Sequence, residues 1–491
     1  MTHVSVTRTN ILLTPDPSRV LLRPFVPGDA GRMRDIAARV LAIPEEQAHE
    51  LLAEVLAGFA SRHQHLSAIM RERFEQVREY LPQGVTPSET QRLLIGAYFL
   101  AEYAVESAAL FNPSLVPHPD QSGVPDGAVR IVLSLRATGE GHISSVTFRC
   151  GTIHSDHRID LVTPAGMLTE ARQIPNPVYE NGLFARRLRE MGLTGNFVNE
   201  VMGMLRETFS LDELRATLDI RLHQAELAQG LLHEDKVTAD GIWALARSNY
   251  EVQFRPDQQL SERILFPATP SQRNGIEDAR FVHFRDEDGA GIYYATFTAF
   301  DGRAVVPELV ETADFARFRF ITLNGPAAQN KGMALFPRRI NGRFAMLSRQ
   351  DNESISIMYS DNVHFWNERQ VLMRPSAPWE LIQIGNCGSP METSAGWLVL
   401  SHGVGPMRRY CISAFLLDRD DPGVIIGCLR EPLLQPDHRE REGYVPNVVY
   451  SCGAMIHNGV LVIPYGLSDR ATGFATVPLD DVLAAMEPLG P

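Results

Sequence analysis

Hydrophobic positions in the first hundred residues follow the spacing of amphipathic helices. Apolar side chains recur at helical intervals over 46–59, and residues 67–80 are rich in Glu, Arg and Met. Thr86-Pro87-Ser88-Glu89 offers a capping residue, a proline in the first turn and an early glutamate, so we predict a helix from there towards Glu106. The pattern as a whole predicts a helical region over residues 29–106.

Beyond Asn112 the pattern changes to short segments typical of strands. Residues 129–135 and 144–149 are strand-like and are joined by Gly139-Glu140-Gly141, which predicts a hairpin. Residues 199–232 return to a helical pattern, with Ser210-Leu211-Asp212-Glu213 as a plausible start.

From Tyr250 onward almost every segment is a short strand followed by a turn. The turn signals include Asp288-Gly289, Asn341-Gly342 and His457-Asn458-Gly459, and residues 478–486 predict a short terminal helix. Repeated short strands of this kind predict a mainly β fold: a sandwich, a barrel or a propeller.

Composition and charge exclude several classes of protein. The chain has 491 residues, enough for two or three domains, and its net charge of −13 gives no electrostatic support for a nucleic-acid partner. No apolar stretch reaches the roughly 18 residues of a membrane span, and the first residues lack the pattern of a secretory signal. The five cysteines are odd in number and widely spaced, which favours reduced thiols. We therefore expect a cytoplasmic protein with no membrane partner.

The strongest chemical candidate is the stretch 274–281, which places Glu277, Asp278 and Arg280 within four residues ahead of a strand-rich segment. The functional interpretation is an acid held by a neighbouring arginine at the mouth of a β structure. A solvated loop is the alternative.

Other chemistries have weaker support. Cys387 with His402 has the residue types of a thiol nucleophile and its base, but no oxyanion hole or third residue accompanies them. His154 and His157 lack a further ligand set, so we predict no metal site.

Several stretches, taken in order, resemble glycoside hydrolase family 130, the β-mannoside phosphorylases and mannosidases. The resemblance starts near Phe111 and continues to the C-terminus, with 169–248 as a helical insertion. It rests on these stretches: Phe111-Asn112-Pro113, Gly275-Ile276-Glu277-Asp278-Ala279-Arg280, Leu335-Phe336-Pro337 with Ile340-Asn341-Gly342, Ser401-His402-Gly403-Val404, Tyr410 with Leu416-Leu417-Asp418, Val445-Pro446-Asn447-Val448-Val449-Tyr450, and Tyr465-Gly466 with Asp469.

The resemblance implies a five-bladed β-propeller with its active site in the central depression. The catalytic domain would span residues 107–491 and the N-terminal helical region residues 1–106. The apolar face of those helices needs a partner surface, either the side of the propeller or a second subunit, and the latter would make a homo-oligomer.

The implied chemistry is inverting, and the family's catalytic acid falls on Asp278. Inorganic phosphate, the co-substrate, attacks the anomeric carbon and needs no general base because it is already a nucleophile. A hydrolase would need a second carboxylate, roughly 6.5–9.5 Å away, to activate water. No cofactor is implied.

The resemblance also assigns the binding residues. Arg280 would position Asp278, and Lys331 and Gln383 stand where phosphorylases usually have Arg and Lys, which weakens the phosphate site. Substrate-binding positions are Asn112, Arg136, Glu277, Arg280 and Asp469. Phosphate-binding positions are Lys331, Arg349, Gln383, His402 and Tyr410.

The leading hypothesis is an inverting phosphorylase that cleaves a small β-mannoside and releases α-mannose 1-phosphate. The first alternative is an inverting β-mannosidase of the same family, with Glu392, Glu442 or Asp351 as its base. The second is a non-catalytic glycan-binding propeller whose N-terminal helices mediate assembly.

Overall fold

The fold is mainly β, as predicted. The computed structural model describes residues 4–488, apart from 175–177, 230–232, 301, 303 and 304. Within that part of the chain, no helix is long and apolar enough to cross a membrane.

The N-terminal region contains four helices between strands. The helix at 89–98 begins with a reciprocal cap, in which the Ser88 hydroxyl accepts from Gln91 N at 3.2 Å and Ser88 N donates to the Gln91 side chain at 3.1 Å. The predicted start within Thr86-Pro87-Ser88-Glu89 is therefore confirmed, with Ser88 as the cap. The predicted extension towards Glu106 was wrong, since residues 100–104 form a strand. The elements are β1 Thr7–Leu13, β2 Val20–Pro24, α1 Ala30–Leu41, α2 Glu45–Phe59, α3 Leu66–Val77, α4 Glu89–Tyr98 and β3 Leu100–Ala104.

The middle of the chain contains the predicted hairpin and then a helical segment. The hairpin is β5 with β6. The helical pattern predicted over 199–232 corresponds to two helices, α6 and α7, with a short strand at 208–210 between them; residues 230–232 lie outside the described residues. The start at Ser210 is confirmed. The elements are β4 Ala109–Pro117, β5 Val129–Thr138, β6 Ser144–Ile153, β7 Ile159–Leu161, β8 Thr169–Glu170, β9 Arg172–Ile174, β10 Val178–Glu180, α5 Asn181–Glu190, α6 Asn196–Met204, β11 Thr208–Ser210, α7 Leu211–Gln229, α8 His233–Arg247, β12 Tyr250–Gln253 and β13 Arg263–Leu265.

The rest of the chain is strands and turns, closed by a short helix. The elements are β14 Gly275–Arg285, β15 Gly291–Phe300, β16 Val305–Thr312, β17 Arg317–Thr322, β18 Lys331–Leu335, β19 Phe344–Arg349, β20 Ile355–Ser360, β21 Gln370–Met373, β22 Gln383–Asn386, β23 Met391–Thr393, β24 Gly396–Val404, β25 Tyr410–Leu417, β26 Ile425–Cys428, β27 Val449–Tyr450, β28 Met455–His457, β29 Val460–Leu467, β30 Ala471–Pro478 and α9 Leu479–Ala484.

Within the described residues, five successive groups of antiparallel strands follow one another along the chain. They are β4–β5–β6, β14–β15–β16–β17, β18–β19–β20–β21, β22–β24–β25–β26 and β27–β29–β30–β1. The first two belong to one sheet, joined by a single parallel pairing of Ser144 in β6 with Gly275 in β14. The last group takes its outer strand from the beginning of the chain, because β1 pairs antiparallel with β30.

Neighbouring groups contact each other in sequence order, and the last contacts the first. Phe281 N in β14 donates to the Ser114 hydroxyl in β4 at 3.0 Å, and Leu110 N in β4 donates to the Arg470 carbonyl beside β30 at 2.9 Å. Each of the five junctions has its own buried apolar cluster, so hydrophobic burial stabilises the closed ring of groups.

The two helical regions have cores of their own. Helices α5–α8 share one buried cluster, and α1–α4 share two others. Arg186 in α5 lies over the Phe365 ring at 3.5 Å and donates to Asn367 at 2.7 Å, which attaches helix α5 to the loop before β21.

Candidate active site

The five strand groups surround a cavity of about 620 Å³ to which each contributes side chains. Of the eleven predicted site residues, only Arg280 does not line it. The ten others are Asn112, Arg136, Glu277, Asp278, Lys331, Arg349, Gln383, His402, Tyr410 and Asp469.

Irregularities in the β-ladder direct Asp278 and Asn112 into the cavity. Asp278 has φ 54°, and the pairing of β14 with β15 shifts register between Glu277 and Arg280. Asn112 has φ 47°, and the pairing of β4 with β5 shifts register after Phe111. Asp and Asn tolerate this left-handed conformation better than most residues, and a bulge redirects side chains out of the regular alternation.

The Asp278 carboxylate is held by two side chains from the first group. Asn112 Nδ2 donates to Asp278 Oδ1 at 2.6 Å, and Arg136 Nη1 lies 3.3 Å from the same oxygen. Burial tends to raise the pKa of Asp278, but the positive charges of Arg136, Arg280 and Lys331 outweigh burial and hold that pKa below its usual 3.8. The carboxylate is therefore ionised at neutral pH in the free protein.

Two further carboxylates share this wall. Arg136 Nη2 donates to Glu277 Oε1 at 2.6 Å, yet burial raises the pKa of Glu277 above its ordinary value. Burial also raises the pKa of Asp469 to about 6, although Arg136 opposes that shift. The cavity thus contains three carboxyl groups with different tendencies to hold a proton.

Arg280 acts from behind this wall. It is 3% exposed, and its Nη1 donates to the main-chain carbonyl of Asp278 at 3.0 Å. Its Nη2 donates to the Tyr450 hydroxyl at 2.6 Å. Arg280 therefore fixes the backbone of Asp278, whereas Asn112 and Arg136 contact its carboxylate.

The other side of the cavity carries positive charge. Lys331 and Arg349 face each other as direct cross-strand partners in β18 and β19. Arg349 Nη1 donates to His402 Nε2 at 3.2 Å and, with the Gln383 amide oriented to accept, to its oxygen at 2.8 Å. The Nε of Arg349 is buried without a hydrogen-bond partner, and Lys331 has no ion pair within the described residues. Tyr410 lies beside this group, with its ring 5.9 Å from that of His402.

His402 is a neutral, buried imidazole. Burial lowers its pKa well below 6.5, and the charge on Arg349 lowers it further. Because Nε2 accepts from Arg349, the ring proton sits on Nδ1, which lies 3.8 Å from Cys387 Sγ. Burial raises the pKa of Cys387 to about 12, so it is a protonated thiol and not an activated nucleophile.

None of the bases suggested for a hydrolase lines the cavity. Glu392 pairs with Arg338 at 2.7 Å, Asp351 accepts from Ser354 N at 2.8 Å in a turn, and Glu442 also lies outside the lining. Those three predictions are corrected: the carboxyl groups at the cavity are Glu277, Asp278 and Asp469. Within the described residues, no group of three or more side chains could hold a metal ion.

Sequence reasoning missed three polar residues of the lining: Asn352, Arg408 and Tyr450. Tyr450 ends the stretch 445–450, and Arg408 lies two residues before Tyr410, so both were adjacent to recognisable signals. Their side-chain directions depend on the turns between strands, which residue spacing does not report.

Comparison with known proteins identifies the family of the chain. Residues 238–488 match the model of glycoside hydrolase family 130, described as beta-1,4-mannooligosaccharide phosphorylase. The chain is 32% identical over 232 residues to a 1,2-beta-oligomannan phosphorylase of Thermoanaerobacter sp. (strain X514), covering 46% of this chain and 75% of the relative. It is 30% identical over 251 residues to a beta-1,2-mannobiose phosphorylase of Listeria innocua, covering 50% of this chain and 68% of the relative.

A solved structure of beta-1,2-mannobiose phosphorylase from Listeria innocua, in complex with beta-1,2-mannobiose, superposes with a TM-score of 0.47 at 22% identity, over 77% of this chain and 92% of that one. The family match covers more than half of the chain, and the Thermoanaerobacter relative is covered over three quarters of its length. The chain therefore belongs to glycoside hydrolase family 130, the β-mannoside phosphorylase family, and is an enzyme of that family.

Proposed function

We propose that this protein is an inverting phosphorylase that cleaves a β-mannoside with inorganic phosphate and releases α-mannose 1-phosphate. The observation that carries the proposal is the direct cross-strand pair Lys331 and Arg349 at the cavity. Like charges directly opposite each other destabilise a β-ladder, so this pair is best explained by an anion that binds between them.

The acidic wall would bind and activate the sugar. Asn112 Oδ1 is buried without a partner, which leaves an acceptor for a sugar hydroxyl, and Arg136, Glu277 and Asp469 offer further contacts. Asp278 would then give a proton, through a sugar hydroxyl, to the leaving oxygen as its bond to the anomeric carbon breaks. A phosphate oxygen forms the new bond to that carbon from the opposite face, and Asp278 is left ionised.

Phosphate binding would also prepare the acid. Lys331 is one of the charges that lower the pKa of Asp278 in the free protein. A bound anion offsets this charge, raises the pKa of Asp278 and favours the protonated form that donation requires.

The proposed architecture is a five-bladed β-propeller over residues 107–491, with one strand group to a blade and β1 completing the last blade. The helical region within residues 1–106 would support it from outside, and association of two copies through these helices remains a prediction. The substrate would be a small oligosaccharide, in keeping with a cavity of about 620 Å³.

A hydrolase of the same family is the second candidate. Asp469 and Glu277 both line the cavity beside Asp278, and either could activate water in place of phosphate. A non-catalytic glycan-binding role is disfavoured because glycan binding alone does not need a pair of cations opposite an acid.

Product analysis tests the proposal. The protein is incubated with β-1,2- and β-1,4-linked mannobiose, with and without phosphate, and the products are identified by ³¹P and ¹H NMR. We expect mannose 1-phosphate of α configuration only when phosphate is present. Mannose 1-phosphate of β configuration would contradict inversion, and free mannose in both samples would favour the hydrolase.

A further inference from the structure

Tyr450 is placed to touch whatever occupies the cavity. It ends β27, lines the cavity and is 8% exposed. Its ring meets the ring of His402 edge-on at 4.8 Å and lies 6.4 Å from that of Tyr410. The ring of Tyr450 therefore packs beside His402 and Tyr410 on the cationic side of the cavity, while its hydroxyl reaches Arg280 behind Asp278.

The Tyr450 hydroxyl has its acceptor role filled and its donor role open. Its oxygen accepts a hydrogen bond from Arg280 Nη2 at 2.6 Å. The hydroxyl hydrogen has no acceptor among the described residues. Burial raises the pKa of Tyr450 well above 10, so the hydroxyl keeps this hydrogen at neutral pH.

The contact with Arg280 also makes the hydroxyl a stronger donor. A phenol oxygen that accepts from a guanidinium loses electron density, which polarises its own O–H bond. The same guanidinium is fixed by its second bond, to the Asp278 carbonyl at 3.0 Å. The position of the Tyr450 hydroxyl is thus tied to the backbone of the proposed acid.

His402, the neighbouring side chain, cannot fill this donor role in the observed geometry. Its Nε2 accepts from Arg349, and its protonated Nδ1 lies beside the buried Cys387 sulfur at 3.8 Å, so the hydrogen of the ring points to Cys387. His402 instead orients Arg349. A neutral hydrogen-bond donor for an anion must therefore be a different side chain on the cationic side of the cavity. The Tyr450 hydroxyl has a hydrogen available for this bond.

We propose that the Tyr450 hydroxyl donates a hydrogen bond to the anion bound beside Lys331 and Arg349. In the reaction proposed above, on which the identity of the anion rests, this anion is inorganic phosphate. Tyr450 would help to hold the attacking oxygen in line with the anomeric carbon, together with the charge of the cation pair.

The test is Tyr450→Phe, which keeps the ring and removes the hydroxyl. Initial rates are measured against phosphate at saturating mannoside, and against mannoside at saturating phosphate. We expect the KM for phosphate to rise about 10- to 100-fold, the worth of one hydrogen bond to a charged group, and the KM for mannoside to change less than about threefold. Protection against thermal unfolding by phosphate alone should need a correspondingly higher phosphate concentration.

Tyr293→Phe is the matched control, because its buried hydroxyl donates to the Pro117 carbonyl at 2.9 Å and does not line the cavity. It should leave both KM values unchanged. A merely structural role for Tyr450 would lower kcat or stability and leave the KM for phosphate unchanged, and that result would overturn this inference alone. A wild-type rate and thermal stability indifferent to phosphate would overturn both this inference and the phosphorylase.

Discussion

At the scale of single residues, the chemistry centres on a carboxylate in an unusual backbone conformation. A non-glycine residue at φ 54° costs on the order of 1 kcal/mol, and the hydrogen bonds from Asn112 and Arg280 keep Asp278 there. The Asp278 carboxyl group therefore projects from an irregularity in the β-ladder into the cavity, where the nearby cations lower its pKa.

Asp278→Asn should remove nearly all turnover while the fold is kept, because the amide oxygen can still accept from Asn112 but the side chain is no longer an acid. General acid catalysis contributes about 10²- to 10⁴-fold, so kcat should fall by this factor. Asp286→Asn is the control, since Asp286 pairs with Arg339 outside the cavity. Retention of more than about half of wild-type activity by Asp278→Asn would show that another group is the acid.

The pH dependence of sugar binding should report Asp469. Its pKa is raised to about 6, so the group is protonated at lower pH and becomes a carboxylate as the pH rises through that value. An ionised carboxylate accepts hydrogen bonds from sugar hydroxyls more strongly, and the KM for mannoside should fall up to about tenfold between about pH 5 and about pH 7.

Asp469→Asn should make this KM nearly independent of pH, while Glu277→Gln should keep the wild-type profile. The measurement is the KM for mannoside at several pH values with saturating phosphate. If Glu277→Gln made the KM independent of pH and Asp469→Asn did not, Glu277 and not Asp469 would be the titrating group.

At the scale of elements, a buried cluster of charges fastens the N-terminal region to the first strand group. Arg19 Nε lies 2.9 Å from Glu106 Oε1, and Arg149 Nη2 lies 2.9 Å from the same oxygen. Arg19 Nη2 also donates to the Ser261 carbonyl at 2.6 Å. The Glu106 carboxylate thus joins the segment before β2 to strand β6, and Arg19 extends the contact to the segment before β13.

Glu106→Gln should destabilise the protein strongly, because it leaves two buried guanidinium groups without a counter-charge. Breaking a buried ion pair by removing one partner costs about 3–5 kcal/mol, whereas exposed pairs contribute about 0–1 kcal/mol. Glu170→Gln is therefore the control, since Glu170 pairs with Arg23 at the surface. Unfolding in urea followed by circular dichroism measures both, and equal stability of the two variants would contradict this role for Glu106.

Elements set by local sequence could be predicted, and elements set by distant contacts could not. The turn at Asn458-Gly459 was predicted correctly because both residues adopt positive φ, of 47° and 74°, at little energetic cost. Residues 100–104 were misassigned because the strand depends on β2, about eighty residues earlier in the chain. The pairing of β1 with β30 joins opposite ends of the chain, and no local pattern indicates it.

The same distinction applies to the site. Resemblance indicated ten residues that line the cavity, because the motifs keep their order along the chain. It did not indicate that Arg280 would bind the Asp278 carbonyl, since this contact depends on the bulge in β14. Tyr450 was likewise missed because its role follows from the orientation of its hydroxyl.

At the scale of the whole molecule, the cavity depends on closure of the ring of strand groups. The proposed acid belongs to the second group, its partners Asn112 and Arg136 to the first, and the cation pair to the third. His402 comes from the fourth group. Among the described residues, neither helical region contributes to the lining.

The most direct test of phosphorolysis is the initial rate against phosphate concentration at fixed mannoside, for the wild type, Arg349→Ala and the control Arg343→Ala. Arg343 lies in the connection between β18 and β19, the hairpin that carries Arg349, but it pairs with Asp361 at the surface. We predict a saturable dependence on phosphate in the wild type and the control. Arg349→Ala should raise the KM for phosphate by about one to two orders of magnitude, because a charge-assisted hydrogen bond contributes about 1.5–3 kcal/mol. A wild-type rate that does not depend on phosphate, with free mannose as the only sugar product, would contradict the account.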